Sequence, residues 1–364
     1  MMYMKSKIPF QSIWERYFFR EVVKLFCVFI GSFYGLYVLI DFSSHTTQFS
    51  THFQWSEIFS YYFYELIRRL DVILPFALML ATIKTLCSLS TNNELVALMA
   101  SGMSLKSLLR PFIIIGLFFT VLMYGNAEFL LPKAQKGLKQ IHDRHTSLKN
   151  KLENRGFVQH IILDDQTQIL FQYYDEERQF FFDSYWIKSA DDIFRIKYLF
   201  PHLEVPLGRY VHHLTRNQND ELVESASFVE KEFPQIYFNQ KKLQETLSLP
   251  EEQSLTDLVQ QLPHNNRISH EKEAQVVSHF YHKMALPWLC LFAVIAPAPF
   301  CVRFSRGLPV FMIYACSIFG LITFYLTMDA ALILAKRQVL DPIWAIWMPF
   351  SIFFAFFFYR FVKL

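Results

Sequence analysis

The residue patterns in this chain that could carry chemistry are few, and each is incomplete. None of the ten glycines is followed by lysine, so the phosphate-binding loop G-x-x-x-x-G-K-[ST] is absent. His270 and Glu271 begin the zinc-binding pattern H-E-x-x-H, but Ala274 occupies the position of the second histidine. The serine-nucleophile pattern G-x-S-x-G is also missing. We therefore expect none of these three kinds of site.

The histidines offer only weak ligand pairs. His142 with His145, and His279 with His282, lie three residues apart on predicted helices, where two rings can share a face. Such pairs are more often ordinary surface histidines than metal ligands. The adjacent pair at 212–213 falls in a predicted strand, where neighbouring side chains point to opposite faces. The sequence predicts no metal site and no catalytic residue.

The composition is that of a membrane protein with a polar insert. Of the 364 residues, 53% are hydrophobic, 40 are phenylalanine and only 18% are charged, against about 25% charged residues in soluble domains. Residues 132–281 carry 18 Lys/Arg and 22 Asp/Glu, a net charge of −4, whereas the remainder carries 17 and 10, a net charge of +7. All five cysteines lie outside this block, so it has no disulfide framework. The pattern excludes a disordered chain and a simple soluble enzyme.

Six apolar runs are long enough to cross a membrane, since a spanning helix needs roughly 20 apolar residues. The first run has a long apolar core and no small-residue cleavage site after it, so we expect an anchor and not a signal peptide. The prolines of the fourth run are tolerated where neighbouring helices satisfy the freed backbone groups. The predicted spans are Val22–Ile40, Val72–Leu89, Pro111–Leu131, Met284–Val302, Leu308–Ala335 and Ile343–Tyr359.

Basic residues predict the orientation of these spans. The side that holds both termini carries 12 Lys/Arg, and the opposite short loops carry four, which include Arg68 and Arg69 just outside the second span. Because basic loops remain in the cytoplasm, we expect cytoplasmic termini and an extracytoplasmic polar block. Asp41 and Asp329 fall near the outer ends of the first and fifth spans. They are either functional groups at membrane depth or solvated interfacial carboxylates.

The polar block has the pattern of a folded β domain. Residues 133–154 predict a helix that extends the third span, and Ser254–Leu262 predicts a short helix capped by Ser254 with Asp257 at its third position. A further helix, Ser269–Lys283, leads into the fourth span. Aromatic and β-branched runs between polar turns indicate a sandwich or jelly roll. The predicted strands are Phe157–Leu163, Gln168–Tyr174, Gln179–Ile187, Ile193–Phe200, Gly208–Leu214 and Leu222–Phe228.

A short amphipathic helix is predicted between the second and third spans. Thr91 or Asn92 can cap it, Glu94 complements its positive N-terminal end, and Gly102 ends it. Leu95, Leu98 and Met99 form one apolar stripe. Such a helix either lies in the membrane interface or inserts into the groove of a partner protein. The residues alone leave both possibilities open.

Five segments resemble the lipopolysaccharide export permeases of the LptF/LptG (YjgP/YjgQ) type. The resemblance covers essentially the whole chain, and the segment Glu-Leu-x-Ala-x-x-Ala-Ser-Gly is its most specific element. The segments are Ile13–Lys24, Leu74–Thr82, Asn93–Ser104, Leu109–Pro111 and Met284–Pro287.

The resemblance implies an α-helical membrane protein with three spans, an inserted periplasmic β-jelly roll and three more spans. The implied domains are residues 1–131 with a coupling helix at 91–102, residues 132–253 and residues 254–364. The chain would be one permease of an ABC exporter in the inner membrane of a Gram-negative bacterium. Its implied partners are an LptB-type ATPase dimer that holds ATP and Mg, a paralogous LptF or LptG permease, an LptC-type bitopic bridge subunit and lipopolysaccharide, with no nucleic acid.

The resemblance also implies roles for individual residues. The coupling helix would seat in the ATPase groove, and spans one and five would form lateral gates through which lipopolysaccharide enters a central cavity. Near the outer end of span one, Val38 and Leu39 stand where some members carry a basic residue. The implied coupling residues are Glu94, Leu95, Leu98, Met99, Ser101 and Gly102, the gate and cavity residues are Ile30, Phe33, Tyr34, Tyr37, Tyr314, Ile318, Leu321 and Tyr325, and the polar mouth is Asp41, Arg68, Arg69 and Asp329.

Three other functions remain open at this point. A permease for another lipid or for lipoprotein would have the same physical design with a different insert. A membrane-embedded transferase acting on lipid-linked sugars would need a carboxylate or metal constellation at one membrane face. A structural anchor that displays a β domain would have no use for a coupling helix.

Overall fold

The chain forms two compact units, a helical one and one built on an antiparallel sheet. The helical unit comprises the residues up to Ile141 and those from Pro250 onward, and the sheet unit comprises His142–Leu249. The computed structural model describes residues 12–52, 55–145, 159–163, 167–175, 178–202, 205–217, 221–236, 249–262, 271–302 and 309–363.

Eleven α-helices are found in the described residues, and a π-helical turn at Asn126–Leu130 and a 3₁₀ turn at Leu286–Trp288 connect some of them. The 3₁₀ turn falls at Pro287, which cannot donate a backbone hydrogen bond. The helices are α1 (Ile13–His52), α2 (Trp55–Thr91), α3 (Glu94–Ala100), α4 (Leu105–Gly125), α5 (Leu131–His145), α6 (Leu255–Gln260), α7 (Glu271–Ala285), α8 (Leu289–Ile295), α9 (Ala298–Val302), α10 (Val310–Lys336) and α11 (Pro342–Val362).

Within the part of the chain that the structure describes, six stretches of helix are long and apolar enough to cross a membrane, which agrees with the six predicted spans. The first two helices are longer than the sequence predicts, because α1 continues beyond Ile40 and α2 begins well before Val72. At 1.5 Å per residue, each exceeds the roughly 30 Å of a bilayer core. The candidate spans are Ile13–Ser44, Trp55–Thr91, Leu105–Ile141, Glu273–Val302, Val310–Lys336 and Pro342–Val362.

The centre of the helical unit is α2, which packs against α1, α4, α8, α9 and α10. Next to it, α4 and α8 approach closely at Gly116, where an added Cβ would lie 3.3 Å from the Cα of Leu291. The Tyr124 hydroxyl of α4 also donates to the carbonyl oxygen of Met284 at 2.6 Å. Small residues permit this kind of close helix contact in membranes. The third and fourth spans are therefore tightly joined.

The π-helical turn connects α4 to α5 without interrupting the helix. Within it, Asn126 is buried and its Nδ2 donates to the carbonyl oxygen of Ile67 on α2 at 3.3 Å. Further along, Gly137 of α5 meets α2 so closely that an added Cβ would overlap the ring of Tyr64. The predicted helical extension of the third span is confirmed as far as His145, and residues 146–154 lie outside the described residues.

The described residues of the sheet unit form seven antiparallel strands in the order β1-β2-β4-β5-β6-β7, with β3 paired to β4. Each predicted strand run contains an observed strand, but the predicted run Gln168–Tyr174 is interrupted at Gln172. The described strands form one meandering sheet. The strands are β1 (Gln159–Ile162), β2 (Gln168–Phe171), β3 (Tyr173–Asp175), β4 (Phe180–Ser189), β5 (Asp192–Phe200), β6 (Leu207–Arg216) and β7 (Leu222–Glu232).

The sheet unit has its own hydrophobic core on one face of the sheet. The indole of Trp186 stacks on Phe194 with ring centroids 5.4 Å apart and meets the ring of Phe233 edge-on. The Trp186 Nε1 donates to Thr167 Oγ1 at 3.1 Å, which satisfies the indole donor. The other buried members are Ile161, Leu163, Ile169, Phe171, Phe181, Ile196, Leu199, Val211 and Ile236.

Candidate functional site

A buried carboxylate on α2 is the centre of a polar cluster between α1 and α2. The side chain of Glu65 is only 1% exposed, and its Oε1 accepts hydrogen bonds from Arg68 at 2.7 Å and Arg69 at 3.0 Å. From α1, the Tyr37 hydroxyl donates to the same oxygen at 2.6 Å. The other oxygen, Oε2, is buried without a hydrogen-bond partner among the described residues. One carboxylate oxygen therefore joins the two helices.

Three further contacts surround this carboxylate. The guanidinium of Arg69 lies 5.3 Å from the ring centroid of Tyr37. The Tyr34 hydroxyl donates to the carbonyl oxygen of Tyr62, and the Tyr62 hydroxyl donates to Asp41 Oδ2 at 3.2 Å. Positions 34, 37 and 41 are spaced by three and four residues, so they share one face of α1. That face is polar and is turned toward α2.

Arg68 and Arg69 are held in place by Glu65 and are still partly exposed. Their side chains are 44% and 48% exposed, although each donates to the buried Glu65. A guanidinium carries five N–H donors, and its planar geometry matches phosphate and carboxylate groups. Bidentate contacts of this kind are among the strongest hydrogen bonds in proteins. The cluster is therefore suited chemically to hold an anionic group.

The structure brings together most of the residues predicted for the polar mouth but corrects their position. Arg68 and Arg69 lie inside α2, so the prediction that they occupy a loop is wrong. Glu65 was not identified from the sequence. Its spacing of three and four residues before the arginines is the helical ion-pair pattern that could have revealed it. Asp329 lies beside His282 instead, with its Oδ1 3.9 Å from His282 Nε2.

The residues predicted for the lateral gates lie on α1 and α10, and both helices contact α2. The ring of Phe33 meets Phe76 of α2 edge-on with centroids 5.1 Å apart. From α10, the Tyr325 hydroxyl donates to the carbonyl oxygen of Asp71 at 2.6 Å. Helix α2 is thus a shared neighbour of both. The other predicted gate residues, Ile30, Tyr314 and Ile318, are half-buried against the core, whereas Leu321 is fully buried.

Other faces of the same two helices expose large apolar side chains. On α1, Leu36 and Leu39 are 57% and 69% exposed. On α10, Phe319 and Leu326 are 72% and 65% exposed. Apolar surface of this extent is typical of contact with lipid or with another protein.

The short helix α3 is found where the sequence predicts it, but its cap differs. Asn93 occupies the N-cap position with a φ of 58° and makes no side-chain cap bond. The prediction that Thr91 or Asn92 caps α3 is wrong, because Thr91 is the last residue of α2. Gly102 has a φ of 90° and ends the helix as predicted. The exposed Ser101 hydroxyl donates to the carbonyl oxygen of Leu98 at 2.7 Å.

The apolar stripe predicted on α3 is divided between two faces. Leu95 is buried in the core of the helical unit, and Leu98 packs against that core. Val96 and Met99 are exposed. Glu94 is half-buried in the first turn of α3. Of the large apolar side chains of α3, Val96 and Met99 therefore face outward, whereas Leu95 and Leu98 face the core.

A second polar cluster surrounds Lys283 near the end of α7. Its buried Nζ donates to the carbonyl oxygens of Pro250, Glu251 and Gln253 at 3.4, 2.8 and 2.6 Å. Three acceptors satisfy all three donors of the ammonium group. The lysine thereby fixes residues 250–253 to α7.

The carboxylate of Glu251 extends this cluster to α10. Its Oε1 accepts a hydrogen bond from Lys336 Nζ at 2.9 Å and lies 3.5 Å from His279 Nε2. Burial opposes ionisation of Glu251, but the bond from Lys336 and the positive charges around it hold the pKa of Glu251 below its ordinary value.

The following residues attach the same segment to the π-helical turn. The predicted cap of α6 is confirmed, since Ser254 and Asp257 form a reciprocal capping box. The backbone N–H of Thr256 donates to Glu128 Oε2 at 3.2 Å. Residues 250–257 thus contact the third span, α7 and α10.

The histidines show no arrangement for a metal in the part of the chain that the structure describes. His212 Nδ1 lies 2.7 Å from Oε1 of Glu224 on β7, whereas His213 Nε2 lies 2.6 Å from Oδ1 of Asp192 on β5. The side chains of His142 and His145 lie outside the described residues.

Comparison with protein families gives a match that covers almost the whole chain. The family model described as "Lipopolysaccharide export system permease LptF/LptG" matches residues 16–363. The matched range includes both the helical unit and the sheet unit. No curated protein matches the chain.

Proposed function

The chain belongs to the LptF/LptG family of lipopolysaccharide export permeases, and from this premise we propose that it extracts lipopolysaccharide from the outer leaflet of the inner membrane as one of two paired permeases. The family and the six apolar helices make it a multi-pass transport subunit of the inner membrane and not a catalytic enzyme. The observation that carries the proposal is the match over residues 16–363.

The proposed cavity forms between this chain and a related permease, with α1 and α10 as its gates. The exposed apolar faces of these two helices support this assignment, because they need a lipid or protein neighbour. Helix α2 contacts both through Phe76 and Asp71. Movement of one gate helix would therefore be transmitted to the other through α2.

Removing a glycolipid from the membrane requires an external source of energy. Every ten CH₂ groups transferred out of an apolar environment cost roughly 8 kcal/mol, so spontaneous release is slow. We propose that ATP hydrolysis with Mg²⁺ on a separate ATPase dimer supplies this energy. Helix α3 would dock on that dimer through Val96 and Met99, which are its exposed large apolar side chains, with the half-buried Glu94 at its N-terminal end.

The arginines beside Glu65 are proposed to contact the phosphates of the lipid. Arg68 and Arg69 are half-exposed, fixed by a buried carboxylate, and close to the predicted gate residue Tyr37. They would replace the basic residue that some family members carry on span one, where this chain has Val38 and Leu39.

We further propose that the sheet is part of a periplasmic jelly roll, that three spans lie on each side of it, and that both termini are cytoplasmic. The strand β7 lies at one end of the described sheet and is exposed along nearly its whole length. An exposed strand edge can pair with a strand of another protein. This edge is where we expect the bitopic bridge subunit to continue the path of the lipid.

Two tests distinguish this function from its alternatives. The first is purification of the full chain from cells, which should bring an ATPase, a second six-span permease and lipopolysaccharide with it. The second uses a photo-crosslinking amino acid in place of Leu36 or Leu326, on the exposed faces of α1 and α10. The matched control is the same amino acid in place of Phe356, which is exposed on α11.

We expect lipopolysaccharide to be labelled from the α1 and α10 positions and much less from the α11 position. Labelling of phospholipid alone at every position would contradict the proposal and favour a permease for another lipid. Purification without any ATPase would favour a structural anchor. A sugar-transfer activity in the purified chain would favour the transferase.

A further inference from the structure

A cavity of about 400 Å³ opens on the sheet unit, and the proposed transport path does not use it. Its walls come from the turn before β4 and from four neighbouring strands. Its volume lies in the range of small-molecule sites. The lining residues are Arg178, Phe180, Tyr198, Phe200, Arg209, Tyr210, Val229 and Glu230.

The cavity arises where the sheet departs from the usual alternation of side chains. In a regular strand, consecutive residues point to opposite faces. Here Arg209 and Tyr210 are neighbours in β6 and both line the cavity, and so do Val229 and Glu230 in β7. Tyr210 has a φ of 55°, a left-handed conformation that is uncommon for a residue with a side chain. Backbone strain of this kind concentrates at functional sites.

Aromatic rings form one part of the cavity wall. The ring of Phe180 meets Tyr198 edge-on with centroids 5.4 Å apart and lies 5.7 Å from Phe200. The rings of Tyr198 and Tyr210 lie 6.4 Å apart. Such rings combine flat apolar faces with hydroxyl groups at the tyrosine ends. This combination fits a sugar ring, which has C–H groups on its faces and hydroxyls around its edge.

Positive charges form the other part. Arg209 Nε lies 2.8 Å from Glu230 Oε1, and its guanidinium lies 5.5 Å from the ring centroid of Phe200. Arg178 lines the cavity as well, and Lys197 Nζ lies 5.7 Å from the ring centroid of Tyr198. The lining residues themselves carry two guanidinium groups and one carboxylate, which leaves a net positive charge at the cavity. Guanidinium groups match phosphate oxygens in pairs.

We propose that this cavity binds a phosphorylated sugar, supplied by the saccharide part of the transported glycolipid. The sugar ring packs on Tyr198 and Phe180, the phosphate accepts hydrogen bonds from Arg178 and Arg209, and Glu230 accepts hydrogen bonds from sugar hydroxyls. The inference rests on the proposed transport function for the source of the sugar. It adds a site for the water-soluble part of the lipid to a path otherwise described for its acyl chains.

The test measures binding to the full chain, purified with its partners in detergent. The probes are lipopolysaccharide freed of its acyl chains with its phosphates retained, the same material after phosphatase treatment, and inorganic phosphate. We expect the phosphorylated saccharide to bind at least tenfold more tightly than either of the other probes. Equal binding of the dephosphorylated material, or of inorganic phosphate, would overturn the proposal.

Variants then locate the binding to the cavity. R178Q combined with R209Q should weaken binding of the phosphorylated saccharide at least tenfold, whereas R209K, which keeps charge without the planar fork, should weaken it less. The matched control is R216Q, since Arg216 is also an exposed arginine of β6 paired with a carboxylate, at 3.3 Å. It should change binding less than twofold. If R216Q and the double variant have the same effect, the site is not this cavity.

Failure of the inference and failure of the transport function have different outcomes. Export of intact lipopolysaccharide from proteoliposomes is measured on the same preparations. Export without saccharide binding would refute the cavity alone. Saccharide binding that is lost in the double variant, in a complex that exports no lipopolysaccharide, would support the cavity and refute the transport function.

Discussion

Replacement of Glu65 by methionine should loosen α1 from α2, because this buried carboxylate accepts a hydrogen bond from Tyr37 of α1. It receives three hydrogen bonds, from Tyr37, Arg68 and Arg69. A hydrogen bond to a charged group contributes about 2 kcal/mol, but water replaces much of the contribution of a half-exposed arginine. Counting about 2 kcal/mol for Tyr37 and about 0.5 kcal/mol for each arginine, E65M should lower the free energy of unfolding by about 3 kcal/mol.

A double-mutant cycle separates this contact from unspecific damage. Tyr37→Phe alone should cost about 2 kcal/mol, and the combination with Glu65→Met should cost about 3 kcal/mol instead of the additive 5, a coupling of about 2 kcal/mol. The assay is equilibrium unfolding of the purified chain in mixed micelles. The matched control is Tyr17→Phe, an exposed tyrosine of the same helix, which should show no coupling to Glu65. Additivity of Tyr37→Phe and Glu65→Met within about 0.5 kcal/mol would refute the reasoning.

Three further predictions concern α3, Glu251 and the α4–α8 contact. Glu94→Lys should reduce the ATPase that co-purifies with the chain and slow lipid export, while the melting temperature stays unchanged; full ATPase content would contradict the coupling role. Because the pKa of Glu251 is held below its ordinary value, its contribution to stability is complete above that value and is lost as the pH falls through the lowered one. Glu251→Gln should therefore be less stable at pH 7 and flatten the acid limb of a stability-against-pH curve, and an unchanged limb would argue against the Lys336 pairing. Gly116→Ala should lower the free energy of unfolding by about 1–3 kcal/mol through overpacking, whereas Gly320→Ala, which meets no atom within 4 Å, should not; equal effects would disprove the close contact.

The sequence predicts the helical spans well because long runs of apolar residues are sufficient to identify them. It fails where a charge is compensated inside a helix. Arg68 and Arg69 interrupt the apolar run of α2, so a hydropathy argument begins the span at Val72. The helix in fact begins at Trp55, and within this earlier part Glu65 accepts hydrogen bonds from both arginines and from Tyr37 of α1. Only the three- and four-residue spacing hints at this arrangement.

The sheet unit shows a similar limit. Aromatic and β-branched runs identify the strands, since those residues favour extended backbone. The alternation of side chains between the two faces cannot be predicted across Tyr210. Its φ is left-handed, and a left-handed φ is normally predicted only at glycine or asparagine. The cavity that follows from this departure is for that reason invisible in the sequence. The cap of α3 is a comparable case, since Asn93 takes the N-cap position without a side-chain bond.

The π-helical turn at Asn126–Leu130 determines the direction in which the side chains of the following helix, α5, face. Each residue of an α-helix advances the side chains by about 100°, so the widened turn behaves as a one-residue insertion that resets the facing direction of α5. In the phase observed here, Gly137 faces the ring of Tyr64. Removal of a single residue from the turn would restore an ordinary ladder, swing Gly137 a quarter-turn or more away, and drive a bulkier neighbour toward that ring.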